Sequence, residues 1–486
     1  MTLNYLPLHF PVLPIWSKSF RAIAVGFAIL LAIMTARMLL VRKRRVVQLG
    51  GLTWRRNQFC RGWLITGDTG SGKTSSGINQ LAHQVFQNEG KWGGLCIDEK
   101  GVYWETLSAM AWHYGREDDL IHLQINADDQ NQKSLHRFNL TGDRSIPFTA
   151  YAKFVVDTAT SLGQGGDKGF FKSQAQTHIA HALELLFELG SPVTISGAFE
   201  LLSSKAKLDE ALEDLADLDL QTPRRQELHD HFINRFANQP GEQLGGVRET
   251  IGNYLQYFLT PEVAEIFCPS KSTFDFSAID AGKIILVTMP QKFQTERRYV
   301  NTFLKLLFYN HALRRFDDAK SERAGNNLLI LWADEAQRFM TASEDGTSDY
   351  NCVDVIREAG ATIVAAAQST TSLIPPLGND KSKVLTLNLR NRMIFRSADE
   401  ADAVQAADFL GKKRVVKRSW GSSAGKGNVN YSETEEHKIK HYQLRKLRDH
   451  ECVLVHCENG FRRVTLPPLE PDGNVSKWFA WWKRFF

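Results

Sequence analysis

The most constraining feature of this 486-residue chain is the segment GWLITGDTGSGKTSS at positions 62–76. An apolar run, Trp63 to Ile65, passes directly into Gly67-x4-Gly72-Lys73-Thr74, the Walker A pattern of a phosphate-binding loop. Glycines at these spacings let successive backbone N–H groups turn inward onto phosphate oxygens at the start of a helix. The loop therefore requires a buried strand before it and a helix after it, here expected over Ser75 to Asn88, which commits the chain to an α/β fold. Gly67, Asp68, Thr69, Gly70, Ser71, Gly72, Lys73, Thr74 and Ser75 form the expected cradle for ATP. Lys73 would neutralise charge on the β and γ phosphates, and the Thr74 hydroxyl would ligate Mg²⁺.

Such a loop needs an acid on a neighbouring strand to hold the Mg²⁺ water shell, and a base that orients the attacking water. The segment NNLLILWADEAQRF (326–339) supplies both. Leu328 to Trp332 is a nearly continuous apolar run, as expected of a parallel strand covered on both faces, and Asp334-Glu335 follows it. We assign Asp334 to Mg²⁺ and Glu335 to the water; the plainer alternative is a strand end with acids at a helix N-terminus. In VIREAGATIVAAAQST (355–370) a second buried strand, Ala361 to Ala367, ends in Gln368. A polar side chain at that end faces the same crevice as the phosphate loop, so Gln368 is a candidate γ-phosphate sensor. Gly94–Ile97, Leu120–Ile125, Lys283–Thr288, Arg392–Arg396 and Cys452–His456 read as further strands of a mainly parallel sheet.

At 43% hydrophobic and 23% charged residues the chain can bury large cores, which excludes disordered, collagenous and polytopic membrane classes. Its six cysteines form no C-x-x-C pair or zinc spacing, so they are expected reduced and mostly buried. The net charge of +5 conceals a division along the chain. Residues 1–45 hold seven Lys/Arg and no acid, 46–410 hold 36 against 46 acids, and 411–463 hold thirteen against six.

Ala22 to Val41 are twenty residues with one charge, Arg37, placed to snorkel. That length crosses a hydrocarbon core about 30 Å thick, so one transmembrane helix is expected over 22–41. Arg42, Lys43, Arg44 and Arg45 after it outnumber Lys18 and Arg21 before it, which places the carboxy-terminal bulk in the cytoplasm. A cleaved signal peptide fits worse, because no small-x-small site follows the apolar core. Residues 3–16 are apolar but broken by three prolines, and suit an interface better than a second span.

From Phe148 to about Asp275 the periodicity turns helical, with 18 acids against 10 Lys/Arg. Next, GKKRVVKRSWGSSAGKGN (411–428) reads as a basic cluster running into a Gly/Ser-rich loop. Lys412, Lys413, Arg414, Lys417 and Arg418 are candidate DNA contacts, since phosphate neutralisation is independent of sequence; a solvated loop is the alternative. The closing WFAWWKRFF (478–486) suits either an interfacial docking segment or aromatic packing against the body.

Together the Walker A loop, ILWADEAQRF, REAGATIVAAAQST, IDEKG (97–101) and the stretch 274–315 resemble the type IV coupling proteins, the TraG/TraD-type DNA-translocating ATPases of conjugation and type IV secretion. The resemblance covers nearly all of residues 46–460. It implies a RecA-like P-loop ATPase domain with an inserted all-α domain and an N-terminal transmembrane helix. The expected parts are an anchor (1–45), a nucleotide-binding domain in two pieces (46–147 and 276–468), the all-α insert (148–275) and an aromatic/basic tail (469–486). It also implies a homo-hexamer at the bacterial inner membrane that moves single-stranded DNA, with its relaxase and relaxosome proteins, toward type IV secretion channel components. In such a ring the arginine matching Arg357 would reach the neighbouring subunit's nucleotide. The chain departs from the family pattern in having Glu99 after Asp98 where proline is usual, one clear span instead of two, and no long acidic tail. Same-fold alternatives are an ATPase exporting only protein effectors and a nucleotide-gated docking platform.

Overall fold

A computed structural model describes residues 45–476 except 126–135, 164–168, 219–221, 320–324, 345 and 424–425, together with Phe27 and Phe479. The chain divides into two units, Met1–Arg45 and Val46–Phe486. The expected membrane helix lies outside the described residues, apart from the helical and exposed Phe27. Among the described residues no helix is long and apolar enough to cross a membrane.

The second unit is built on nine strands: β3 (Trp63–Thr66), β4 (Gly93–Asp98), β5 (Leu120–Gln124), β6 (Ile284–Thr288), β7 (Leu329–Asp334), β8 (Ala361–Ala367), β9 (Asn391–Ile394), β12 (Glu451–His456) and β13 (Gly460–Thr465). Their order is β13-β12-β9-β3-β8-β7-β4-β6-β5. The seven strands from β9 to β5 run parallel, and β12 and β13 extend the sheet antiparallel at one edge. Successive strand side chains point to opposite faces. Leu64, Leu95, Leu331 and Ile363 accordingly enter one core, while Trp63, Ile65, Cys96, Trp332 and Val364 enter the other. Both faces are covered, which is why these strands read as apolar runs without alternation.

One face is covered by α1 (Asn79–Asn88) and α2 (Tyr103–His113). Between β5 and β6 the chain forms α3 (Phe148–Ser161), α4 (Gly169–Glu188), α5 (Ile195–Ser203), α6 (Lys205–Asp217), α7 (Pro223–Asp230), α8 (Gly241–Leu255) and α9 (Pro261–Phe267). Thr194 and Ser204 cap α5 and α6 through side-chain oxygens, and Pro223 and Pro261 open α7 and α9 where a missing N–H costs nothing. These helices share a continuous core with the second face of the sheet, joined there by α10 (Gln294–Arg314). α11 (Asn379–Asn388) and α12 (Glu400–Leu410) flank β9. A small antiparallel sheet, β1 (Arg45–Leu49) with β2 (Leu52–Arg55), precedes β3.

The basic segment expected to be a loop is instead a β-hairpin. β10 (Lys412–Ser423) and β11 (Lys426–His437) pair antiparallel through twelve register positions, from Lys412↔His437 to Ser423↔Lys426, in a sheet of their own. Val415, Val416, Trp420, Val429, Tyr431 and Thr434 supply the β-branched and aromatic residues that favour strands, which the Gly/Ser content of the tip obscures.

Candidate functional site

β8 separates the phosphate-loop strand β3 from β7, and in register Thr66 faces Ala367 while Asp98 faces Asp334. The carboxyl ends of β3, β8, β7 and β4 therefore open on one crevice, as ligand sites in parallel sheets do. Gly67, Gln368, Asp334, Glu335 and Asp98 all stand there.

The loop itself needs glycine. Gly70 and Gly72 hold φ of +83° and +104°, which disfavour any side chain. Gly67 N donates to Gln368 O (3.2 Å) and Asp68 N to Arg396 O (2.8 Å), so the loop hangs between the strands on either side. Lys73 opens a π-helical turn, Lys73–Ile78, that continues into α1. Its Nζ donates to Gly67 O (2.8 Å) and Asp68 O (3.0 Å). Burial holds the Lys73 ammonium below the usual lysine range, and Glu335, Asp334 and Asp68 pull the other way. Thr69, Gly70, Ser71 and Ser75 complete the turn, with Ser71 Oγ donating to Asp68 O (2.8 Å).

Thr74 Oγ1 donates to Asp334 Oδ2 at 3.0 Å, across 260 residues of sequence. Burial pushes the Asp334 carboxyl up to about 6, the facing Asp98 and the next residue Glu335 add to this, and the Thr74 hydrogen bond opposes it. A hydroxyl and a hard carboxylate in mutual reach, beside excess negative charge, form a donor set that fits Mg²⁺. Glu335 adopts φ +51°, a strained left-handed conformation for a non-glycine residue. Its Oε2 accepts from Gln337 Nε2 (2.7 Å), which aims the carboxylate. Gln368 is exposed at the crevice end of β8.

Arg357 is not in this crevice. It lies in the 3-10 turn Ile356–Ala359 before the amino end of β8, 40% exposed in its side chain and 3.9 Å from Glu358. Lys412, Lys413, Arg414, Lys417 and Arg418 are exposed on β10, and Lys417 pairs with Glu436 (2.7 Å). The hairpin forms a sheet separate from the one that carries the phosphate loop.

Several site residues carried no readable role in the sequence. Asp98 accepts backbone N–H groups of Lys100, Gly101 (2.7 Å), Val102 (2.8 Å) and Tyr103 (2.6 Å), fixing the start of α2. Glu99, where proline was the family expectation, accepts from Arg298 Nε (2.8 Å) and Gln294 Nε2 (2.9 Å) and so ties this loop to α10. Arg396 bridges Asp68 Oδ2 and Asp449 Oδ1, each at 2.8 Å. His450, with φ +65°, donates its N–H to Ser71 O (2.9 Å) and sets Nδ1 2.8 Å from Ser76 Oγ. The ring of Phe479, in the aromatic tail, packs edge-on against His450.

Residues 350–467 match the family model of the type IV secretion-system coupling protein DNA-binding domain. Among solved structures, the chain is similar to the bacterial conjugative coupling protein TrwBdeltaN70 in an unbound form, at 15% identity and TM-score 0.61 over 87% of this chain and 88% of that one. It is also similar to the plasmid coupling protein TrwB in complex with a non-hydrolysable ATP analogue (16%, TM-score 0.63, 87% and 89%) and in complex with ADP and Mg²⁺ (16%, 0.60, 88% and 89%). No curated protein matches the chain. The likeness in structure establishes the fold, an α/β architecture with a mostly parallel central sheet like that of TrwB, and the resemblance to type IV coupling proteins read from the sequence is met over residues 350–467 by the independent family model.

Proposed function

We propose, taking as premise the coupling-protein match over residues 350–467 and the coupling-protein fold around it, that this chain is a DNA-translocating coupling ATPase of a type IV secretion or conjugation system. The observation that carries the reading is the hydrogen bond between Thr74 and Asp334 beside Glu335 and Gln368, because it brings the parts of a hydrolytic phosphate site together at the carboxyl ends of the central strands. Mg²⁺, when bound, shields charge on the β and γ phosphate oxygens. Lys73 exchanges its contacts with the loop carbonyls for phosphate oxygens, and Thr74 and Asp334 hold the cation's ligand sphere. Glu335, aimed by Gln337, orients the attacking water. Gln368 reads the γ phosphate and, through its carbonyl on Gly67, links that reading to the loop.

In the full reading the helix over 22–41 anchors the protein in the inner membrane with the ATPase body in the cytoplasm. Six copies form a ring, recruit a relaxase–DNA complex and drive single-stranded DNA toward the channel. The test is ATP hydrolysis by the detergent-solubilised full chain with and without single-stranded DNA, beside Lys73→Ala and Glu335→Gln. Expected are turnover raised by DNA and lost in both variants. A wild type inactive at high protein concentration, whatever DNA is added, sinks the motor. Activity that DNA neither stimulates nor binds favours protein export.

A further inference from the structure

The β10–β11 hairpin has a face that the nucleotide site does not use. Directly paired residues of an antiparallel ladder share a side of the sheet, as do residues two apart on one strand. The pairs Val416↔Glu433, Arg418↔Tyr431 and Trp420↔Val429 therefore put Val416, Arg418, Trp420 and Tyr431 on one side, with Glu433 at the end of that side nearer the base. Trp420 is 72% exposed, Tyr431 68% and Val416 58%. Tryptophan is usually well buried, and a cluster of such exposed side chains marks a binding surface. The Arg418 guanidinium lies over the Trp420 ring, 4.3 Å from its centroid, so one ring face carries the cation and the ring's exposure lies on the rest of it.

Charge is polarised along the hairpin. From Lys417 to Ser432 the sequence carries Lys417, Arg418 and Lys426 and no acid, whereas Glu433, Glu435 and Glu436 lie toward the base. Lys417 is engaged there by Glu436, which leaves Arg418 beside the aromatic pair. An exposed surface of ring faces with a cation, Arg418, among them complements a polyanion whose bases are unstacked. Every base has a π-face, so stacking tolerates any sequence, and Arg418 meets a phosphate. A duplex keeps its base faces occupied and could use only the cation.

We propose that the face of this hairpin bearing Arg418, Trp420 and Tyr431 is a base-stacking site for single-stranded nucleic acid, with Trp420 and Tyr431 as the stacking rings and Arg418 as their phosphate partner. The proposal rests on the DNA-translocation reading and adds to it the place where the strand is gripped.

The experiment is binding of a labelled oligothymidine of about twenty nucleotides to the detergent-solubilised full chain at several salt concentrations, with particle mass and DNA-free ATPase activity followed in parallel. Trp420→Ala is expected to weaken binding about 5- to 100-fold, and Tyr431→Ala likewise, while Trp420→Phe keeps most of the affinity. Arg418→Ala should lower the slope of log affinity against log salt by about one. DNA-free ATPase activity and particle mass should stay unchanged in all four, and duplex binding should be insensitive to Trp420→Ala. Wild-type affinity in the Trp420→Ala/Tyr431→Ala double variant overturns the proposal. So does a changed particle mass with unaltered DNA affinity, which would assign the face to a contact between subunits. A wild type that binds no single strand removes the translocation reading along with it, so the two failures are distinct.

Discussion

Arg357 and Gln368 stand at opposite ends of one strand. Arg357 lies in the turn leading into β8, and Gln368 follows its last residue, Ala367. Seven extended residues lie between them, roughly 23 Å at about 3.3 Å each, so one nucleotide cannot meet both side chains of a single chain. If Arg357 contributes to hydrolysis, it does so across a subunit boundary. Arg357→Ala is then expected to keep nucleotide affinity and lose at least about tenfold in kcat. Mixing it with Lys73→Ala, which lacks its own phosphate lysine but retains Arg357, should restore part of the activity. Absence of any restoration across mixing ratios would speak against a trans-acting arginine.

The Asp98–Asp334 pair predicts a pH dependence with a definite sign. The Asp334 carboxyl is raised from its ordinary 3.8 to about 6, chiefly by burial and then by Asp98. A raised carboxyl costs stability above its folded value, where the disfavoured anion is held, and the cost fades as pH falls below about 6 and protons bind. Asp334→Asn should therefore stabilise the nucleotide-free protein at pH 7.5 by on the order of 1–3 kcal/mol, read as a higher melting temperature, and lose about half of that advantage by pH 5. Mg²⁺-dependent ATP affinity of the wild type should move the opposite way, falling below pH 6 as protons compete for the carboxylate. Equal gains from Asp334→Asn at both pH values would refute the assignment.

Gly72 and His450 predict how the phosphate loop is kept open. A Cβ on Gly72 would lie 2.8 Å from His450 Nδ1 and 3.3 Å from its Cα, on a backbone that already resists side chains. Gly72→Ala should abolish nucleotide binding while far-UV circular dichroism stays unchanged. His450 itself occupies the left-handed region, which asparagine tolerates and β-branched residues do not. His450→Asn should remain near wild type, and His450→Val should lose about 1–2 kcal/mol of stability and bind ATP more weakly. Identical behaviour of these two variants would leave the backbone conformation irrelevant.

Where the physics is local, the sequence could be read. Leu329 to Asp334 and Ala361 to Ala367 are covered on both faces, so burial wrote itself into them as nearly continuous apolar runs, and the glycines of the phosphate loop are required by backbone angles at those positions. What escaped reading acts at a distance or through geometry. His450 touches a loop 374 residues earlier and works partly through its own φ, which leaves no neighbouring pattern. Glu99 looked like a deviation until α10 supplied Arg298 and Gln294. The hairpin was missed because glycine and serine at its tip outweighed the β-formers on its arms, and the expected membrane helix lies outside the described residues.

α10 also braces the loop after β7, and this gives the last prediction. Lys305 and Asp349 are fully buried and paired, and Lys305 Nζ also donates to the carbonyl of Phe339, four residues beyond Glu335. Asp349 further accepts from Tyr309 OH (2.6 Å), Thr341 N (2.7 Å) and Thr341 Oγ1 (3.0 Å). Removing one member of a buried pair strands the other charge, at about 3–5 kcal/mol, whereas removing both charges costs much less. Lys305→Met should thus be strongly destabilised in urea unfolding, and Lys305→Met/Asp349→Asn should recover a large part of the loss, because the amide oxygen can still accept from Thr341 while the amide NH2 donates to the Tyr309 hydroxyl. Since the Phe339 contact is lost in both, kcat in the double variant should stay low even where stability returns, with KM for ATP little changed. Full recovery of kcat along with stability would mean that Lys305 supports the fold alone and does not hold the loop that carries Glu335.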